Sequence, residues 1–498
     1  MIAAVGQSIS RDNSLGPLEL AEVAAREALG AAAGLGAAID TLLVVNMLSR
    51  RAGRAPASEL ATRLGLAPLA AATTTVGGNM PQWLVTRAAT EIRAGRSAAT
   101  LVVGGESLRT ARLRSRGEAP RAAPSASGER TDPVLGADRR DLTDEERAAG
   151  LYIPLFVYPL FESVLASRAG RDPRAQREFI GGLLAPLTSV AAGGTYSWFP
   201  EVRPADALAA PSADNRLVVE PYTKRMVAFL GAAQGAALVV TSLAVARRFG
   251  LAAEAVFVWS GAGCDEVWYP IARPDLGRSA GAAAAGRAVL ESAGVSSDDV
   301  ELLDVYSCFP SALQIGAAAL GIAADDSRPL SVTGGLPYFG GPGSDYTTHA
   351  IAEMVSRLRS PGEPPGSHGR LGLVTAVGWY LTKHAVGLYG TEPAPSGFVP
   401  CETTADQERI DAGALPFAVL TESLQQEATV EASTVVYDRL ASPTAAPVVA
   451  TLRDGRRVAA MAQLDELTSV AGRWLVGARI AVQQVGDGTA ARYRVIAA

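Results

Sequence analysis

Cysteine and histidine are nearly missing from this chain, with three of each among 498 residues. The cysteines, Cys264, Cys308 and Cys401, are odd in number and far apart, which excludes a disulfide framework and a CxxC metal site and suits a reducing compartment. His349, His368 and His384 are too few for a His-rich metal site, so no metal is expected. Charge of one sign is also lacking: charged residues make up 19% and the net charge is −5, which offers nothing to nucleic acid. Long apolar runs are missing as well. The opening MIAAVGQSISRDN turns polar after about five residues, far short of a signal-peptide core or the ~20 residues of a membrane span, and a cytoplasmic location is the expectation. The glycines of VGGES, after an apolar run, do not form a GxGxxG that opens a helix, which excludes a dinucleotide fingerprint.

What is present is 48% hydrophobic residue in a chain long enough for two to four domains, rich in Ala and Gly. Apolar runs alternate with helical patterns: IAAVG, LELAEVAAREALG, TLLVV, ASELATRLG, QWLVTRAATEIRAG and SAATLVVGGES. Leu84, Ala88 and Ile92, with Val85 and Ala89 beside them, make an apolar helical stripe. Such alternation predicts an α/β fold with helices packed on a parallel or mixed sheet. Residues 113–145 are polar and rich in Pro, Gly, Ser and Arg, and read as a mobile surface excursion. Helices at IPLFVYPLFESVLASRAG and PRAQREFIGGLLAPL follow before the rhythm resumes at GAAQGAALVVTS.

A second αβ cycle starts near residue 251, which suggests a duplicated unit. After Pro400 the texture becomes Val-rich and short-stranded with DG-type turns, the mark of a small antiparallel β domain. The expected organisation is 1–250 with an inserted segment at about 113–226, then 251–400, then a β-rich domain at 401–498.

Four segments carry a resemblance. VGGNMPQWLVTRAATEIRAGRSAATLVVGGES resembles the nucleophile helix and following strand of the thiolase superfamily, and GAAQGAALVVTS its Gly-Ala-Ala segment. DVYSCFPSALQIGAAALGI resembles the Asn-Glu-Ala-Phe segment, or its His-Asp-Cys-Phe version in sterol-carrier-type thiolases. GGLPYFGGPGSDYTTHAIAEMVSRLR resembles the Gly-His-Pro loop and helix. With its β-rich tail the chain looks closest to the thiolase-like proteins, type 1. The resemblance implies a duplicated five-layer αβαβα core with an inserted loop domain, plus a small C-terminal barrel that is OB-like. It also implies coenzyme A or an acyl-CoA as ligand, an acyltransferase ancestry in lipid or acyl-thioester metabolism, and a monomer or homodimer.

Carried over residue by residue, the family's nucleophilic Cys falls on Gly78, followed by Asn79 and Met80, and the His of Gly-His-Pro falls on Gly341. The second Cys falls near Val377 or Gly378, and the oxyanion-positioning Asn falls on Tyr306. Without thiolate, imidazole or acid thiol, ordinary thiolysis and Claisen condensation are not expected. The glycines at 340, 341 and 343, with Pro342 stiffening the turn, would let the backbone approach a ligand closely. Asn79, Met80, Gly340, Gly341, Pro342 and Gly343 are thus the expected CoA-binding positions.

The candidates for any remaining chemistry are Tyr306, Tyr346, His384 and Cys308. Each has a plain packing reading beside the reactive one: Cys308 as a small thiol under a helix start or a relocated nucleophile, His384 as a satisfied histidine or a base beside Lys383 and Tyr380. Tyr306, Tyr338 and Tyr346 pack as aromatics, or transfer protons as in the thiolase-like aldolases, which also lack the Cys and pair with an OB-fold partner. Three functions stay open: a CoA-thioester-binding protein without thiolase catalysis, a Tyr- or His-dependent lyase or acyltransferase, and a scaffold whose β domain recruits a partner.

Overall fold

The structure, a computed structural model, describes residues 1–49, 55–116, 131–137, 139–360, 369–420, 425–484 and 490–496. The first half runs β1 (Ile2–Ile9), α1 (Pro17–Leu29), β2 (Thr41–Val44), α2 (Pro56–Leu64), β3 (Ala70–Thr74), α3 (Met80–Arg93), β4 (Ala99–Glu106), α4 (Leu108–Ser115) and β5 (Val134–Leu135). An inserted segment carries α5 (Asp144–Ala148), α6 (Pro154–Arg168), α7 (Pro173–Ala192), α8 (Ala205–Ala209), β6 (Leu217–Val219) and β7 (Tyr222–Thr223). The half closes with β8 (Gln234–Thr241) and α9 (Leu243–Arg248). The second half runs β9 (Phe257–Asp265), α10 (Ala280–Ala293), β10 (Leu302–Asp304), α11 (Pro310–Ala319), α12 (Tyr346–Arg359), β11 (Leu371–Gly378), β12 (Lys383–Gly390) and β13 (Val399–Pro400).

Two mixed sheets result, in strand orders β1-β8-β4-β2-β3-β5 and β10-β11-β12-β9-β13. Helices α3 and α12 touch each other and strands of both sheets, so they form a middle layer. Helix α1 backs the first sheet and α10 the second. The physical origin is legible in the strands: β4, β8, β11 and β12 are buried at every position, as strands covered on both faces must be. Helix α3 buries Leu84, Val85, Ala88 and Ala89, and Gly261 and Gly387 on the facing strands leave the space taken by Thr86 and Gln82.

The C-terminal region begins with α13 (Thr404–Ala412), then β14 (Gln426–Ser433), β15 (Val436–Tyr437), β16 (Pro443–Ala445), β17 (Pro447–Leu452), β18 (Arg457–Ala462), α14 (Leu467–Val470), β19 (Arg479–Gln484) and β20 (Ala491–Val495). Five of these strands close a barrel in the order β14-β17-β18-β20-β19, around a core that includes Val430, Val448, Val458, Ile480 and Tyr493. Strands β15 and β16 leave the barrel and join β6 and β7 of the insert in one sheet, so the two additions to the core hold each other.

Two segments differ from the sequence expectation. Part of the excursion at 113–145 is built into the core: β5 extends the first sheet beside β3, and the Asp132 carboxylate accepts the Ala57 (2.6 Å) and Ser58 backbone N–H groups at the start of α2. The remainder at 117–130, and His368, lie outside the described residues. Helix α13 interrupts the expected β run because its polar residues pack on the core instead, with Arg287 bound to Asp406 and the Gln407 amide oxygen accepting Asp265 N–H. Among the described residues no helix is long and apolar enough to cross a membrane.

The insert–barrel junction centres on Glu220. Its buried carboxylate accepts from Arg177 (3.0 Å) and from the Tyr437 hydroxyl (3.1 Å), while its carbonyl accepts from Thr434 (2.8 Å). Burial outweighs Arg177 and holds this carboxyl above its ordinary range. Removing the cation with Arg177→Met is expected to cost about 3 kcal/mol at neutral pH. An acid whose folded pKa is raised binds more protons folded than unfolded, so the deficit should shrink as pH falls and Glu220 takes up a proton. Urea melts of wild type and variant at pH 5 and pH 7 measure both effects; a deficit that grows on acidification would contradict this account.

Candidate functional site

The heads of α3 and α12 meet. Thr347, in the first turn of α12, donates its hydroxyl to the Gly78 carbonyl (2.9 Å), and the Ser344 hydroxyl accepts the Gly77 N–H (3.3 Å). Both helices thus aim their positive N-terminal ends at one place. Asn79 is the N-cap residue of α3 yet makes no side-chain capping bond, and its buried Oδ1 has no hydrogen-bond partner.

The ground in front of Gly78 is filled by the chain itself. A Cβ built on Gly78 would meet the Tyr306 hydroxyl and, at 2.5 Å, the Val377 carbonyl oxygen. Tyr306, just past the end of β10, is held by its N–H, which donates to Thr375 Oγ1 on β11 (2.8 Å), and its ring stands edge-on to Tyr346 with centroids 5.4 Å apart. Burial lifts the Tyr306 phenol well above its usual pKa, so at neutral pH it is a proton donor and not a base. Tyr346 is fully buried, and its hydroxyl is engaged with Thr333 Oγ1 (2.7 Å) and Asp304 (3.1 Å), whose carboxyl burial pushes up to about 6.

His384 lies on the other side of its strand. Consecutive strand residues point to opposite faces, and here Lys383 reaches toward α3 while the His384 Nε2 meets Ser279 Oγ (3.0 Å) and the Leu381 carbonyl (3.1 Å). The Ser279 hydroxyl donates onward to Glu266 (3.0 Å). With the Leu381 carbonyl as acceptor, Nε2 carries the hydrogen, so the order His384→Ser279→Glu266 does not activate Ser279 as a nucleophile. Burial lowers His384 to about 4. A void of about 10 Å³, room for one water, lies between α10, α11 and β12, with Tyr306, Val377 and His384 in its wall.

Cys308 keeps some exposed surface, yet desolvation pushes its thiol up to about 12, beside the Tyr158 hydroxyl. Cys264 is likewise pushed to about 12 by burial, and Cys401 bonds Ser292 (3.1 Å). His349 is buried and neutral, lowered to about 3, with Nδ1 on Gln7 Oε1 (2.7 Å). The glycine loop faces protein: Gly340 lies against Gln234 and Ala232, Gly341 against Phe229 and Ala228, and Gly343 against Glu106. The Pro342 carbonyl accepts the Asp345 N–H, and Met80 packs under Gly136. Among the described residues no group of His, Cys, Asp and Glu could hold a metal ion.

Lys383 escaped the sequence reading as a site residue. It is one of only two lysines in the chain, and it is buried. Its Nζ donates to the Val76 carbonyl (2.5 Å) and stands 5.5 Å from the Trp379 ring centroid, at the head of α3. Asp265 on β9, raised to about 6 by burial, is pulled down by the Lys383 charge. The scarcity of lysine among 45 basic residues was the available signal.

Residues 407–488 match the thiolase-like protein type 1 additional C-terminal domain. No curated protein matches the chain. Among solved structures, a monomeric SCP2-thiolase like protein type 1 from Mycobacterium smegmatis is 30% identical over 99% of this chain and 98% of its own, with a TM-score of 0.83. The Ltp2-ChsH2(DUF35) aldolase is 17% identical over 78% of this chain and 97% of its own, TM-score 0.60. Human mitochondrial 3-ketoacyl-CoA thiolase in complex with CoA is 16% identical over 78% and 98%, TM-score 0.56. These last two share the fold. The full-length likeness at 30% identity, and a C-terminal domain matched over most of the closed barrel, mean that the chain belongs to the thiolase-like protein type 1 family.

Proposed function

We propose that this protein binds coenzyme A thioesters at the joined heads of α3 and α12 and does not perform thiolase-type acyl transfer. It acts as a cytoplasmic protein of acyl-thioester metabolism, as a monomer like its Mycobacterium relative. The observation that carries the second half is at Gly78: the Tyr306 hydroxyl and the Val377 carbonyl occupy the volume a nucleophilic side chain would need. Burial also keeps the Cys308 and Cys264 thiols protonated, so neither supplies a thiolate at neutral pH. The first half is supported by the fold and by the family, and by two helix N-termini that favour carbonyl and anionic oxygens.

A second reading, a lyase using the Tyr306 phenol as acid, is favoured by one observation: this hydroxyl is the side-chain group nearest to the Gly78 Cβ position. Calorimetric titration with CoA and several acyl-CoAs tests binding; no heat from any of them would remove the CoA reading. After incubation with acetyl-CoA, intact mass should show no acyl adduct, and an adduct that disappears in Cys308→Ala would restore covalent transfer. Turnover of a β-hydroxyacyl-CoA that is lost in Tyr306→Phe would establish the lyase instead.

Restoring the thiol alone should fail. Gly78→Cys is expected to lower stability by about 1–3 kcal/mol through overpacking and to yield no thiolysis, because the Val377 obstruction is backbone. Thermal melts and a thiolysis assay check it, and an active, undisturbed variant would refute the steric account.

A further inference from the structure

The segment from Ser107 to Arg116, which makes α4 and its two caps, holds four arginines and no acid. Arg114 turns inward, where its guanidinium donates to the Ser14 carbonyl (3.2 Å). Arg109, Arg112 and Arg116 are exposed, while Thr110 on the inner side is buried. Their spacing, three residues and then four, puts them on one face of the helix and spreads them over about 10 Å of its length. Among the described residues none of the three meets a carboxylate. Arginines elsewhere on the surface do, as Arg96 does with Glu91, Arg287 with Asp406 and Arg370 with Glu301.

This arrangement works against the helix that carries it. Like charges three and four residues apart repel along a helix face, and Arg109 stands in the first turn, at the positive end of the dipole. The chain has a net charge of −5, so acids abound, yet none is placed beside these three cations. A row of cations kept at a local cost to α4 calls for anions from outside the chain. The row also stands near the described site. Arg109 is three residues from Glu106, whose Oε2 would lie 2.8 Å from a Cβ on Gly343 in the loop that enters α12.

We propose that the outer face of α4 docks a protein partner through an acidic helix, with Arg109, Arg112 and Arg116 each meeting a carboxylate. The spread of the three guanidinium groups selects this occupant. A single phosphate needs donors that converge on one point, whereas cations strung along one helix face match carboxylates strung along another at the same spacing, each pair able to form the two-pronged guanidinium–carboxylate bond. Such contacts give orientation and speed of encounter to a partner that the negative protein as a whole would repel. The proposal is independent of the CoA reading.

The test is fluorescence anisotropy with two labelled helical peptides of the same composition, one with glutamates on a single face at spacings of three and four, the other with them distributed around the helix. Wild type should bind the one-faced peptide about ten-fold or more tightly than the other, and the affinity should fall as salt rises. Arg112→Glu and the pair Arg109→Glu with Arg116→Glu should each abolish that preference, while Arg174→Glu on α7, at a side chain 82% exposed, should leave it intact. Removing like-charge repulsion should also let Arg112→Gln melt at or above the wild-type temperature while weakening the one-faced peptide. Equal binding of the two peptides, or none of either, would overturn the proposal. So would displacement of the peptide by CoA together with weaker CoA binding in the arginine variants, since the face would then serve phosphates. Should Arg112→Glu fail to fold, Arg112→Gln decides by the same preference.

Discussion

The meeting of two buried helix heads is the constraint on which the rest of the architecture depends. Helices α3 and α12 lie between two sheets, and no water reaches most of their first turns. Two positive dipole ends repel, and their leading N–H groups need acceptors. The Ser344 and Thr347 hydroxyls join the two ends through the Gly77 and Gly78 backbone, and Asp345 stands at the start of α12. Burial pushes Asp345 and Glu106 upward and His349 downward, each toward its neutral form. The middle layer thereby avoids holding a full set of buried ions and settles its polar groups through hydroxyls and amides.

That economy of space and charge explains the glycines. Where the two central helices cross the strands, Gly261 and Gly387 admit Thr86 and Gln82. In the loop at 334–345 the same device serves the insert: Gly334 lies on Ala191 of α7, and Gly341 on Phe229 and Ala228. Trp198 and Phe199 then donate their N–H groups to the Phe339 and Tyr338 carbonyls (2.8 and 2.9 Å), so the insert is laced to the loop by backbone bonds. A glycine-rich loop is an invitation to close approach, and here the protein's own chain accepts it.

This divides what was legible in the sequence from what was not. Periodicity placed the helix with Leu84 and Ala88 and the strand ATLVVGGE, because burial on a fixed face imposes a fixed spacing. The αβ alternation and the Val-rich tail likewise gave the layered core and the barrel. The order of motifs identified the family, which the full-length relative bears out. The site was less legible, since it depends on which strand face a residue takes. His384 and Lys383 are neighbours in sequence, yet one goes to Ser279 and the other to Val76. Motif position singled out the histidine, and the hairpin register gave the head of α3 to the lysine. The meeting of Tyr306 with Gly78 is a contact across 228 positions, which no local pattern encodes.

The hairpin that fixes this register is itself held under strain. Trp379 and Leu381, between β11 and β12, adopt φ of 56° and 54°, which cost non-glycine residues about 1–3 kcal/mol each. Several polar groups of the turn are restrained. Tyr158 donates to the Trp379 carbonyl (2.8 Å) and accepts the Leu381 N–H (3.3 Å), and Arg273 donates to the Tyr380 carbonyl (2.7 Å) and to the Thr382 hydroxyl (2.9 Å). The Leu381 and Thr382 carbonyls are taken by His384 and by Glu266 N–H. Neutral bonds are worth about 0.5–1.5 kcal/mol and those from a guanidinium about 1.5–3, enough together to hold two strained residues. Tyr158 comes from α6 of the insert, and Ser163 of the same helix accepts the Ser433 N–H of the barrel (3.0 Å). One helix therefore connects the C-terminal domain to the turn that sets Trp379 over Lys383. The added barrel, far from the helix heads in sequence, is thus linked to that turn through α6 and its buried Tyr158.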